Sequence, residues 1–351
     1  MTGKDSDTVV GSVAGATVVA ASVDTGRTVL KAHDAFVDQQ SPFDRQARLN
    51  LRPEVATVTV DAYLDYVANQ VIPWTDDETA ALRDIATEIN TLFASWSFTL
   101  PPEVRLVKTT GQEEGRAAYT RHVDTIVIPA GKVETLLMAS PDSDPLFPAR
   151  NTTSLRNILI HEFFHLISKN NQAQRDTLYR SIGYTRLDSP VQLPDVPWPD
   201  ASSKTSMPAL KITNPDTPLL DVRISLDVPK FPGEGPESGT VTRELLPVLL
   251  AKGPYEGGNF FQYLQWYFMA IEQSGDAWIP VLDAGGRPLM YLVPNDPDPK
   301  PAWWDQYLQK IGRNTDSELF HPDEVIAQNF VFSALLPTPE LLAGIDRVLT
   351  K

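Results

Sequence analysis

The chain contains no cysteine. Disulfides, thiol nucleophiles and cysteine-held zinc are therefore excluded, and any metal site must be built from histidine and carboxylate. Histidine is itself scarce, with five in 351 residues: His33, His122, His161, His165 and His321. No apolar run reaches the length of a membrane span, so membrane insertion is not expected. Positive charge is also short. Against 45 Asp and Glu stand 30 Lys and Arg, a net charge of −15 that disfavours nucleic acid and anionic membranes as partners and says little about fold. Hydrophobic residues make up 42% of the chain, enough at this length for a large core in one large domain or two smaller ones. No internal repeat is visible.

Two of the five histidines fall in one run, Asn157-Ile158-Leu159-Ile160-His161-Glu162-Phe163-Phe164-His165-Leu166-Ile167, which contains H-E-x-x-H. On a helix the histidines lie one turn apart on the same face, where both imidazoles reach one metal ion, and Glu162 reaches a water bound to it. Thr152, Thr153 and Ser154 are candidate N-caps. Lys169 suits the last turn, and Asn170 and Asn171 can end the helix. The helix is apolar on nearly every side and should be buried. Three polar groups on such a helix need partners, and a metal with its water supplies them together. The alternative is a buried helix whose two histidines are satisfied within the core.

Around this run the chain divides into four stretches. Residues 1–56 read as an N-terminal segment, with a strand or loose structure over Thr8 to Val23 and irregular chain over 31–56, broken at Ser41-Pro42 and Arg52-Pro53. The N-terminal segment bears on compartment. Asp5 and Asp7 spoil a basic leader, so a cytoplasmic location is expected, with export through an atypical N-terminal segment as the alternative. Residues 57–187 hold a helix over Val60 to Val71 and a second one capped by Thr75 with Glu78 three residues on, running to Trp96 with Leu82, Ile85, Ile89, Leu92 and Phe93 inward. Then come a strand around Val104 and Leu106, a strand over Ala118 to Ile128 that includes His122, a short helix over Val133 to Met138, a Pro/Asp/Ser loop to 150, the H-E-x-x-H helix and a helix over Arg175 to Ile182. Residues 188–300 comprise a proline-rich surface excursion, Asp188 to Pro218, and a mostly β stretch, Leu219 to Pro294, with a hairpin at Ala284-Gly285-Gly286-Arg287. Within it Phe260 to Ile271 fits strand or helix. Residues 301–351 hold a helix over Trp303 to Ile311, the connection Gly312-Arg313-Asn314-Thr315, and a helix from Pro322 to Leu335.

A catalytic zinc site takes three protein ligands and keeps one position open. The pattern H-E-x-x-H-x-x-G-x-x-H is absent, because Ser168 and Asn171 stand where Gly and His are needed, and there is no inverted H-x-x-E-H. No glutamate occurs between Phe163 and Gly233. Of the later ones, Glu234 and Glu237 lie in a Gly/Pro loop and Glu340 follows two prolines near the terminus. Glu324 is the best candidate for third ligand, since it opens an otherwise apolar helix; Glu244 and Glu272 are runners-up.

His161-Glu162-x-x-His165 with a downstream glutamate helix resembles the gluzincin branch of the zinc metallopeptidases, the thermolysin-like arrangement. The I-G-R-N-T and H-P-D-E-V-I-A-Q-N-F segments resemble a motif of poorly characterised bacterial zincin-like proteins. The resemblance covers two short segments. It implies an α+β fold with a zincin-like catalytic core: N-terminal helices, a small mixed sheet next to the H-E-x-x-H helix whose edge strand can pair with an extended peptide, and a β-rich insertion before the helix with the third ligand. It implies one Zn2+ per chain, held by His161, His165 and Glu324, and a peptide or protein substrate. Glu162 would act as general base on a water whose pKa zinc lowers to about 7. Such helices often read E-x-x-x-D, the aspartate orienting the first histidine; here Gln328 stands in that place, a neutral acceptor that raises ligand basicity less. His321, Tyr184 and Tyr179 are candidate oxyanion donors. Two other readings stay open: a zinc-binding zincin-fold protein that holds peptides with weak or no catalysis, and a metal-free structural protein.

Overall fold

The computed structural model describes residues 6–50, 57–138, 155–232, 239–293, 301–312, 318–331 and 339–350. The fold is α+β. Strands β1 (Thr8–Val13) and β2 (Ala16–Ala20) form a tight hairpin over the N-terminal stretch. Three short helices follow, α1 (Val23–Lys31), and then α2 (Ala35–Gln39) and α3 (Pro42–Arg48) where irregular chain was expected. Each is started by a side-chain cap, from Ser22, Asp34 and Ser41, and Ser41-Pro42 is not a breaker but a helix start, with Pro42 in the first turn and a reciprocal Ser41–Asp44 capping box. These helices are too short to show a full apolar period, so only their caps betray them. Arg52-Pro53 lies outside the described residues.

Helix α4 (Val60–Asn69) buries Tyr63 and Val67 as expected. Gly26 of α1 lets that helix approach the end of α4, because a Cβ there would sit 2.8 Å from a Val71 methyl. Helix α5 (Asp76–Phe93) carries the expected Thr75–Glu78 capping box and buries Leu82, Ile85, Ile89 and Phe93. It stops three residues short of Trp96, and Leu92 points outward, 37% exposed.

Strand β3 (Glu103–Thr109) pairs in parallel with β2. The stretch Ala118 to Ile128 is two strands rather than one, β4 (Tyr119–Arg121) and β5 (Thr125–Pro129), paired antiparallel. His122 sits in the turn between them with φ 54°, its ring near the Val29 carbonyl, far from a strand position. The first sheet has the order β1-β2-β3-β5-β4, so antiparallel β4 is its edge. Helices α6 (Ala130–Met138), α7 (Leu155–Asn170) and α8 (Gln172–Ser181) follow. The loop to residue 150 and the proposed caps Thr152, Thr153 and Ser154 lie outside the described residues.

After β6 (Tyr184–Arg186), the proline-rich excursion proves to be packed rather than superficial. Trp198, Met207, Leu210 and Ile212 are buried against Leu246, Val248 and Tyr267 of the second sheet. That sheet runs β10-β9-β8-β7-β6, with β7 (Val222–Pro229), β8 (Thr240–Ala251), β9 (Leu264–Ser274) and β10 (Ala277–Pro280), and β11 (Met290–Leu292) also pairs with β9. The ambiguous aromatic stretch is a single helical turn, Phe260–Tyr263, followed by strand β9. The expected hairpin turn is present, closed by Asp283 N–H to the Arg287 carbonyl at 2.8 Å. Glu234 and Glu237 lie outside the described residues.

Helices α9 (Ala302–Ile311), α10 (Pro322–Val331) and α11 (Pro339–Leu349) complete the chain, and α11, which the sequence reading did not anticipate, packs on α8. Arg313, Asn314 and Thr315, and the expected continuation of α10 to Leu335, fall outside the described residues. The largest apolar cluster is shared by α5, α7, α10 and both sheets, so the metal-motif helix runs through the middle of the core. Among the described residues no helix is long and apolar enough to cross a membrane.

Candidate metal centre

Helix α7 is buried along most of its length, as its all-round apolarity requires. His165 is fully buried, Glu162 is 4% exposed, and the His161 side chain is 15% exposed at the cleft. Helix α10 packs across α7 and delivers Glu324 to the histidine face. Glu324 Oε2 lies 3.1 Å from His161 Nε2 and 3.4 Å from His165 Nε2, and the donor atoms of the three residues are all within 4.8 Å of one another. The runners-up are elsewhere: Glu244 pairs with Arg223 on β7, and Glu272 is exposed on β9.

Each donor is held from behind. The second oxygen of Glu324 accepts from Asn214 Nδ2 at 2.6 Å, which turns Oε2 towards the imidazoles. His165 Nδ1 faces Asp323 Oδ2 at 2.6 Å, fixing Nε2 as the ring's free ligand atom. Asp323 is held in turn by Ser168 Oγ and by the Tyr179 hydroxyl at 2.7 Å. The carboxylate–histidine pair expected at position 328 is thus built one residue before the third ligand, and on the second histidine. Gln328 instead donates to Glu318, and among the described residues it makes no hydrogen bond to His161. Outer-shell carboxylates of this kind support metal affinity by about 10–100-fold. We expect Asp323→Ala to weaken zinc binding by that factor, read by chelator competition. Unchanged affinity would reduce Asp323 to a packing role.

The electrostatics follow the same geometry. Burial works against charge on His161 but is outweighed by the Glu324 carboxylate, which lifts the ring to about 9; His165 is raised well above its usual value in the same way. Glu324, despite burial, is held well below the carboxylate range by the two imidazoliums. Burial, reinforced by the charge of Asp216, pushes Glu162 up to about 8. A ligand histidine must lose its proton before it binds a metal. A metal that takes His161 and His165 must displace their protons, so affinity should climb with pH up to at least about 9. Competition titrations up to that pH check this; an affinity flat below it contradicts the linkage.

The residues fit a metal ion. His165 Nε2 and Glu162 Oε2 are buried with no hydrogen-bond partner among the described residues, and two imidazoles with one carboxylate suit zinc. A cleft of about 580 Å³ opens over the centre, lined by His161, Glu162 and Glu324, by aromatic residues including Trp266, Trp304 and Phe261, and by Asn157 and Lys132. The three expected oxyanion donors do not line it. Tyr179 is committed to Asp323, Tyr184 donates to the Tyr307 hydroxyl inside the core, and His321 is buried with Nδ1 accepting from Asp323 N–H and its basicity lowered by burial to about 4. Asp323, Asn214 and Asp216 were missed by the sequence reading. Asp323 read as a helix-start charge, and the other two sit in Thr-Asn-Pro-Asp-Thr-Pro, which signals only turns. No protein-family model, curated protein or solved structure matches the chain.

Proposed function

We propose that this protein is a zinc-dependent peptidase with a zincin-like core. The observation that carries the reading is the convergence of His161, His165 and Glu324 from two helices on one point beside a buried, unpartnered Glu162 at the floor of a cleft. The layout around it supports the same reading in part: edge strand β4 runs beside α7, and Tyr119 and Ala118 line the cleft, but the Thr120 and His122 N–H groups are taken by Asp216 and Asp34, so the strand offers a substrate its side chains rather than the expected backbone edge. Zinc, when bound, supplies a Lewis acid that polarises the scissile carbonyl and acidifies water. Glu162 accepts the proton of the attacking water and returns it to the leaving amine. Asp323 and Asn214 keep His165 and Glu324 oriented, so no ligand has to reorganise during turnover. The cleft mixes aromatic side chains such as Trp266 and Phe261 with charged ones such as Arg48 and Lys132, which suits a peptide segment carrying both apolar and polar side chains.

One observation favours a second reading, a metal-bearing peptide-binding protein with little catalysis: none of Tyr179, Tyr184 and His321 reaches the cleft to stabilise an oxyanion. Zinc-loaded protein incubated with a peptide library, with products identified by mass spectrometry, separates the two. New termini that vanish on chelation support the peptidase; zinc-dependent peptide retention without cleavage supports the binder.

A further inference from the structure

Asp216 lines the same cleft as Glu324, in the strap 212–218, and is not among the three ligands proposed above. It is 9% exposed. Its Oδ1 accepts both the Thr120 N–H, at 2.9 Å, and the Thr120 hydroxyl; Oδ2 accepts nothing among the described residues. Lys169, whose ammonium donates to the same Thr120 hydroxyl, is the cation nearby on the Oδ1 side, and Oδ2 is left for a second one.

The surroundings say which cation. Asp216, Glu162 and His165 present ligand atoms within 4.8 Å of one another, a second donor group that overlaps the first at His165. His165 Nδ1 is taken by Asp323, so both groups must use Nε2. An imidazole nitrogen has one lone pair and binds one ion. One ion at Nε2 is therefore common to both groups; Asp216 lies within 4.8 Å of His165 and Glu162 but does not join His161 and Glu324 in one set, so it reaches the ion by a shift of its side chain.

We propose that Asp216 is a fourth, displaceable protein ligand of this metal. The inference rests on the metal reading and not on peptide cleavage. Glu162 shares α7 with His161 and is the neighbour best kept free as a base, whereas Asp216 arrives on a separate segment. With Asp216 bound the site is closed, as in four-coordinate structural zinc centres; with it withdrawn the position needed for chemistry is open. The strap that carries Asp216 also carries Asn214, whose amide holds Glu324, and Thr213 ties it to Asp44 and Gln39, so displacement of Asp216 is a movement of its own side chain and leaves Glu324 in place.

Asp216→Asn tests this, because the amide oxygen still accepts the Thr120 bonds while the anionic ligand is lost. Zinc affinity from chelator competition should fall about tenfold or more. The visible spectrum of the cobalt(II)-loaded variant should differ from that of the cobalt(II)-loaded wild type. A crystal structure of the zinc-loaded wild type needs no variant, and should place an Asp216 oxygen about 2.0–2.2 Å from the ion. Equal affinity with an unchanged cobalt spectrum, or both Asp216 oxygens beyond about 3 Å in the crystal, overturns the inference while leaving the three-ligand site standing. A wild-type protein that takes up no metal overturns both.

Discussion

Glu162→Gln should keep its zinc and lose peptide hydrolysis by about 10²–10⁴-fold. The amide has nearly the same size and can still accept a hydrogen bond, but it cannot take a proton from water. The site is sensitive to that difference. Glu162 is 4% exposed, its Oε2 has no hydrogen-bond partner among the described residues, and it is neither Glu324 nor either histidine that holds the ion in the proposed ligand set. Metal content by plasma mass spectrometry and rates on a cleaved library peptide would be read on the same preparation. A variant that cleaves at close to the wild-type rate removes Glu162 from the reaction. A variant that has lost its zinc shows instead that Glu162 serves the metal.

Glu324→Ala is expected to reduce zinc from about one per chain to well below that in protein purified without chelator, since it removes one of three ligands. Stability follows occupancy. An ion present at a thousand times its dissociation constant stabilises the folded state by about 4 kcal/mol, so chelation should lower the melting temperature of the wild type and leave the variant unchanged. Equal zinc in both proteins would unseat Glu324 and leave Asp216, which groups with His165, as the carboxylate to test next, since Glu244 is paired with Arg223 and Glu272 is exposed.

Long elements were legible where a pattern marked them: α5 by its apolar period and capping box, strand β7 by its alternation, and α7 by its all-round apolarity and motif. The pairing of His161 and His165 was legible too, because helical spacing brings them together whatever the fold does around them, and the structure adds Glu324 to a group that could hold a metal ion. The support behind the ligands was not. Asp323 looks like any acidic residue opening a helix, and only the packing of α10 on α7 and α8 turns it towards His165, Ser168 and Tyr179. Gln328 drew attention through a spacing rule, yet the helix turns it to Glu318. His122 failed for a local reason: Thr-Arg-His-Val-Asp-Thr alternates well enough to read as one strand, and the left-handed backbone at His122 that folds it into a hairpin leaves no trace in the pattern. The strap 212–218 was read as surface because proline is common there, whereas Ile212, Thr213 and Asp216 are buried under the cleft.

The bonds joining α7 to α10 cross great lengths of chain: 163 residues from His161 to Glu324 and 158 from His165 to Asp323. An ion shared by the two helices would close a loop of that size. Tying off a loop of about 100 residues removes unfolded-chain entropy equivalent to about 4.7 kcal/mol in the simplest polymer treatment, and longer loops slightly more. Bound zinc would thus cross-link a chain that has no cysteine to do it, and the fastener would yield to a chelator where a disulfide yields to a reductant. Both strands of that knot are distant in sequence, so the ion can be captured tightly only after most of the chain has already folded.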